Sequence, residues 1–156
     1  MMQNARMQEA GDPVAAGLDR YVRFLGSLTA DSLDRLDDLV TEGVHFRDPF
    51  NDVRGRGMMK AVFADMFRDC TDIAFVTDGI VRQDREAFLK WTFRFHPRRF
   101  GGPAPWIATG VSELQLATDG RIAVHIDHWD AGSQFYARLP VVGPLVRFVR
   151  SRVQHH

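Results

Sequence analysis

The chain carries one cysteine, Cys70, no excess of either charge, and no apolar run of transmembrane length. A lone thiol cannot close an intrachain disulfide and lacks the partners of a zinc site, which fits a reducing compartment. Twenty basic residues balance twenty acidic ones, so no global field draws in nucleic acid and no such partner is expected. The first twenty residues lack the apolar core of a secretion signal, and a cytoplasmic location is the expectation. Internal repeats, low-complexity tracts and interdomain linkers are also missing. What remains is one globular domain: 156 residues, 45% of them hydrophobic, suffice for a real core.

Residues 1–12 are polar and rich in Met and Gln, which predicts a flexible tail. From Pro13, Val14, Leu18, Tyr21, Val22, Leu25 and Leu28 recur at three- and four-residue spacing, a helix with one apolar stripe that includes Tyr21. Thr29 or Asp31 offers an N-cap for a second helix carrying Leu33, Leu36, Leu39 and Val40 and closed by Gly43. A short extended piece, residues 44–48, runs into Pro49, which drives Asp48 away from helical dihedrals and places it at a strand end. The stretch 51–57 reads as a polar turn, and Met59, Val62, Phe63, Met66 and Phe67 mark a third helix.

The second half reads as strands. Residues 73–81 form one extended segment. Between Ala87 and Phe95, Leu89, Trp91, Phe93 and Phe95 alternate with Lys90, Thr92 and Arg94, the period-two signal of a sheet with one wet side. A loop over 97–105 leads to a strand over 106–116, and Thr118-Asp119-Gly120 turns the chain into a last strand. In that strand His125, Asp127 and Trp129 share one face, while Val124, Ile126 and His128 share the other. A carboxylate and an imidazole beside an indole on an enclosed face form an acid/base pair suited to proton transfer. A metal set of His45, His125, Asp127 and His128 fails on direction, since His128 points to the opposite face; no metal is expected. Three helices followed by an antiparallel meander give an α+β class, with helices covering one face of a curved sheet.

Tyr21-Val22 in the first helix, Phe46-Arg47-Asp48-Pro49, the Gly-rich turn before the third helix, and Gly120-Arg121-Ile122 followed by His125, Asp127, Trp129 and Asp130 together resemble the NTF2-like superfamily. That group includes ketosteroid isomerase, limonene epoxide hydrolase and the SnoaL-type polyketide cyclases. The resemblance covers residues 13–130. It implies an α+β cone in which N-terminal helices and a curved antiparallel or mixed sheet enclose an apolar pocket, commonly in a homodimer, with no cofactor. Fold alone does not set the reaction.

Against ketosteroid isomerase, the resemblance places Asp48 at the general base and Tyr21 at an oxyanion-hole tyrosine. Ser112 stands where that family has its second donor, an aspartic acid kept neutral by an apolar site, and serine does not match that donor. Against limonene epoxide hydrolase, Asp127 matches one triad carboxylate, while Trp91 and Phe93 occupy the positions of the arginine and the second aspartate; two aromatics cannot deprotonate a water. A SnoaL-like cyclase requires only an acid/base residue near the last strand and a shaped apolar cavity. The expected catalytic set is therefore Asp127, His125, Asp48 and Tyr21, in isomerase, cyclase or dehydratase chemistry. Trp91, Phe93, Ser112 and Trp129 are the expected contacts of a small hydrophobic ligand. Each has an alternative role: Asp48 in an Asp-Pro turn, Tyr21 in the core, His125 as a hydrogen-bond partner only. The rival class is a non-catalytic binding or accessory protein using the same pocket.

Residues 131–156 lie beyond the resemblance and read as an amphipathic helical extension, two short helices broken at Pro140–Pro144. Phe135, Tyr136, Leu139, Leu145, Val146, Phe148 and Val149 interleave with Arg138, Arg147, Arg150 and Arg152. That pattern suits either a helix packed over the pocket mouth or a dimer interface, or a peripheral contact with anionic membrane.

Overall fold

The structure, a computed structural model, describes residues 11–154. The expected tail and the terminal histidines fall largely outside that range, but Asp12 does not. It is the N-cap of helix α1 (Pro13–Gly26), its carboxylate accepting from the Val14 and Ala15 N–H groups. These are orphan donors at any helix start, and Pro13 at the first position suits the turn. Val14, Gly17, Leu18, Tyr21, Phe24 and Leu25 form the buried face of α1.

The second helix departs from the sequence expectation. Ala30–Arg35 is a 3-10 helix, followed by a single α-turn, α2 (Leu36–Leu39). Leu33, Leu36 and Leu39 are spaced by three, so a three-residue turn stacks them on one side. Strand β1 (Val40–Arg47) then begins four residues earlier than expected. Gly43 does not close a helix; it sits where the pairing of β1 slips between Val40 and His45, the other place a strand glycine is found.

The stretch 51–57 is likewise more than a turn, since Asp52–Arg54 pairs with β1 as the short strand β2. Gly55, at φ +96°, makes the bend into α3 (Arg56–Asp69), a conformation that side-chain-bearing residues avoid. Four long strands follow: β3 (Cys70–Gln83), β4 (Glu86–Pro97), β5 (Trp106–Leu116) and β6 (Ile122–His128). The sheet order is β2-β1-β6-β5-β4-β3. The extended piece expected before the third helix is β1, and it lies parallel to β6, so the sheet is more than an antiparallel meander. The sheet is mixed, and pairing slips in β3 help it curve.

Helix α1 packs across β3, β5 and β6, and α3 lies against β1 and β3. One contact fixes α1: a Cβ on Gly17 would fall 1.9 Å from the carbonyl oxygen of Gly120, itself at φ +88° in the turn before β6. Only glycine at both positions allows that approach. Tyr21, one helical turn beyond Gly17, is thereby held over the middle of β6. After β6 come α4 (Ala131–Gln134), a 3-10 turn (Tyr136–Arg138) and α5 (Val142–Val153). The break falls at Leu139–Val141, so Pro144 lies inside the first turn of α5, where its missing N–H costs nothing. Among the described residues, no helix is long and apolar enough to cross a membrane.

Candidate functional site

The concave side of the sheet, α1 and α3 enclose a cavity of about 430 Å³, within the range of small-molecule sites. Much of its wall is aromatic, with Phe46, Phe63, Phe75, Trp91, Phe93, Phe95, Trp129 and Phe135 all contributing, while Asp65, Arg68 and Asp69 of α3 also line it. Asp48, His125 and Asp127 line it as well. Alternation along β4 turns Trp91, Phe93 and Phe95 inward, and parallel pairing of β1 with β6 sets Phe46 beside His125 in register, ring centroids 5.1 Å apart.

Behind this wall runs a chain of hydrogen bonds. The Tyr21 hydroxyl lies 2.6 Å from His125 Nδ1, and His125 Nε2 lies 2.8 Å from Asp127 Oδ1. Ser112, the cross-strand partner of Asp127, donates its hydroxyl to the same Oδ1 in a short bond and accepts the Trp91 indole N–H at 2.9 Å. Tyr21, Ser112 and His125 are fully or almost fully buried. Burial, and secondarily the charge of Asp127, holds the Tyr21 phenol well above its ordinary value of 10.0. It therefore stays a donor at neutral pH. A neutral His125 that accepts from Tyr21 at Nδ1 must carry its proton on Nε2, aimed at Asp127.

Asp127 Oδ1 thus receives two donors. Oδ2 has no hydrogen bond among the described residues and is not among their buried unpartnered atoms. It is the oxygen left open to a ligand.

The sequence-derived residues fall into two layers. Asp127, His125, Asp48, Trp91, Phe93 and Trp129 border the cavity; Tyr21 and Ser112 stand behind His125 and Asp127 and do not. Asp48 is also occupied in a turn, its Oδ1 accepting from the Phe50 and Asn51 N–H groups, both at 2.7 Å, and from the Asn51 amide. His45 and His128 pair outside the cavity with Asp52 and Glu113 at 2.7 and 3.0 Å. Among the described residues, no group of three or more His, Cys, Asp or Glu is placed to hold a metal ion.

Sequence reasoning passed over Phe46, Phe75 and Phe135. The first two lie on period-two faces and could have been read from them. Phe135 lies beyond residue 130, in the extension for which a place over the pocket mouth was one of the expectations, but no single residue there was marked as part of the wall. It reaches the cavity through edge-to-face contacts with Phe50, Trp106 and Tyr136, with centroids 5.1–5.8 Å apart.

A mixed, curved sheet wrapped by N-terminal helices around a cavity is the architecture of NTF2-like proteins. The SnoaL-like domain matches residues 5–125, and the chain belongs to that family. Among curated protein sequences, none matches. Solved structures with the same fold include a hypothetical protein of ketosteroid isomerase-like fold from Catenulispora acidiphila in complex with trimethylamine, with TM-score 0.66, 14% identity, and coverage of 80% of this chain and 93% of that one. A candidate SnoaL-like polyketide cyclase from Jannaschia gives 0.66 and 12%, covering 78% and 88%. An epoxide hydrolase of M. tuberculosis resembling limonene epoxide hydrolase gives 0.63 and 14%, covering 89% and 96%. At these identities the likeness is one of fold.

Proposed function

We propose that this SnoaL-like protein binds a small hydrophobic molecule in the aromatic cavity and moves a proton on it, with Asp127 as the base and then the acid. The observation that carries the reading is the Asp127 carboxylate, held at Oδ1 by His125 and Ser112 with Oδ2 open, at the wall of an otherwise largely apolar cavity. Asp127 Oδ2 takes a proton from carbon next to a carbonyl or similar group, and the His125 and Ser112 hydrogen bonds to Oδ1 hold the carboxyl in one orientation. The same oxygen returns the proton to a second carbon in an isomerase, to a leaving oxygen in a dehydratase, or, in a cyclase, to the carbonyl oxygen of the carbon that the enolate attacks to close a ring. Tyr21 fixes the imidazole tautomer, so it and Ser112 are positioning residues rather than groups that touch substrate. Trp91, Phe93 and Trp129 supply apolar contact area, and Asp48 orders the loop at the cavity edge.

The test is proton exchange into a panel of apolar enolisable ketones in deuterated water, followed by NMR. Wild-type protein should accelerate exchange for at least one, and Asp127→Asn should abolish it while retaining the wild-type melting temperature to within a few degrees. Equal exchange in the two proteins removes Asp127 from the chemistry. Binding of the same ketones without exchange favours the second reading, an accessory ligand carrier, in which the doubly held carboxylate only orients its guest.

A further inference from the structure

Helix α5 turns the wrong side to water for an ordinary surface helix. Val142, Leu145, Phe148, Val149 and Val153 recur at three- and four-residue spacing and form one stripe. They stand between 41% and 75% exposed. The side that meets the protein is the other one. Gly143 is buried so close to the preceding turn that a Cβ there would lie 2.6 Å from the Ala137 carbonyl oxygen, and Arg147 donates to that carbonyl. Arg150 lies near enough to Asp130 to reinforce the low carboxyl pKa set chiefly by hydrogen bonds from Ser133. Within α5 only Gly143 is buried and only Val146 half-buried, so the helix leaves its apolar stripe in water and is incomplete until something covers it.

Charge identifies the occupant. From Ala131 to the end of the chain there is no aspartate or glutamate, while Arg138, Arg147, Arg150 and Arg152 all lie there. The Arg152 guanidinium sits over the Phe148 ring of the stripe, 5.0 Å from its centroid. Phe50 and Tyr136, exposed aromatics in contact with each other, continue the segment to the cavity edge. Apolar side chains flanked by arginines and aromatics match the layered chemistry of acyl chains, phosphates and headgroups.

We propose that α5 docks in the interfacial layer of an anionic lipid bilayer, with Val142, Leu145, Phe148 and Val149 entering among the acyl chains and the arginines meeting lipid phosphates. Docking stands independently of the chemistry proposed above. If the cavity takes an apolar ligand as that reading holds, docking also brings the Phe50–Phe135 edge to the membrane from which such a ligand would come.

The full chain is to be co-sedimented with vesicles of phosphatidylcholine alone and of phosphatidylcholine with one third phosphatidylglycerol. The expected result is at least roughly tenfold tighter association with the anionic vesicles, weakened by salt. Leu145→Asp with Phe148→Asp should abolish it, and Arg152→Glu should weaken it on anionic vesicles; melting curves unchanged from wild type show that these exposed substitutions leave the fold intact. Two results overturn the proposal: no preference of the wild-type chain for anionic vesicles, or equal binding by the Asp variant. A concentration-dependent dimer in solution that the Asp variant dissolves, without vesicle binding, would assign the stripe to a second copy instead.

Discussion

Replacing Tyr21 by phenylalanine removes one oxygen and leaves the ring, with its contacts to Phe24 and His125 at 6.1 and 5.8 Å, in place. What is lost is the 2.6 Å bond to His125 Nδ1. His125 is 2% exposed and its Nδ1 has no other hydrogen-bond partner among the described residues, so the orphaned nitrogen costs about 1–3 kcal/mol. At neutral pH the melting temperature should fall by roughly 2–10 °C for a chain of this size. The alkaline limb carries the sharper test. In the folded protein the phenol pKa lies well above 10.0, raised first by burial and then by the Asp127 charge, whereas in the unfolded chain it titrates near its ordinary value. Above pH 10 the unfolded state therefore sheds a proton that the folded state keeps, and the contribution of Tyr21 to stability, complete below that pH, drains away. Wild type should lose about 1.4 kcal/mol per pH unit relative to Tyr21→Phe, so the gap between them closes within about one to two units. Lys60 and Cys70, whose pKa values are also raised, titrate in both proteins and cancel in the difference. Thermal melts from pH 7 to the alkaline range, with nitrogen-15 NMR of the imidazole, read both effects. A gap that persists unchanged into strong alkali, or a wild-type His125 whose neutral form carries its proton on Nδ1, would falsify the relay.

Ser112→Ala takes a donor from Asp127 and orphans the Trp91 indole N–H; a loss of about 1–3 kcal/mol in denaturant unfolding is expected, with a weaker effect on ketone exchange than Asp127→Asn. Gly17→Ala drives a methyl into the Gly120 carbonyl with backbone on both sides, so it should destabilise by at least about 1–3 kcal/mol and lower exchange by displacing Tyr21, both measurable on purified protein. The carboxyls of Asp12, Asp37, Asp52, Asp69 and Asp119 are held below the usual range by hydrogen bonds from helix or turn N–H groups or from Lys, Arg or His side chains. Depressed carboxyls contribute stability that is present above about pH 4 and lost as pH falls through their folded values, so melting temperature should drop on the acid side. Asp12→Asn, which keeps an N-cap acceptor but not the charge paired with Arg82, should flatten that drop; an identical acid limb would remove Asp12 from it.

The faces of β4 and β6 were legible because a period of two needs only the identities of alternate residues, and the first helix because its apolar stripe repeats every turn. Partners across strands were not. Ser112 meets Asp127 only through the β5–β6 register, and Phe46 meets His125 only through a parallel pairing between strands nearly eighty residues apart. A hydrophobic pattern fixes which face is buried, while register also depends on turns and slips such as those in β1 and β3. The 3-10 segment was misread for a related reason, since leucines at spacing three satisfy either helix until the next element claims Val40.

The relay itself shows how such long-range geometry is stored. Tyr21 reaches His125 across 104 residues, yet no residue of the pair dictates that approach. It is dictated by Gly17 and Gly120, which look like a helix-weakening residue and an ordinary turn glycine when read separately. Their absent side chains let α1 settle onto the turn that opens β6, and a single helical turn then converts that contact into a phenol above an imidazole. The carboxylate and imidazole at the cavity wall are thus set partly by residues with no chemistry of their own, and a substitution there should disturb His125 and Asp127 without touching either.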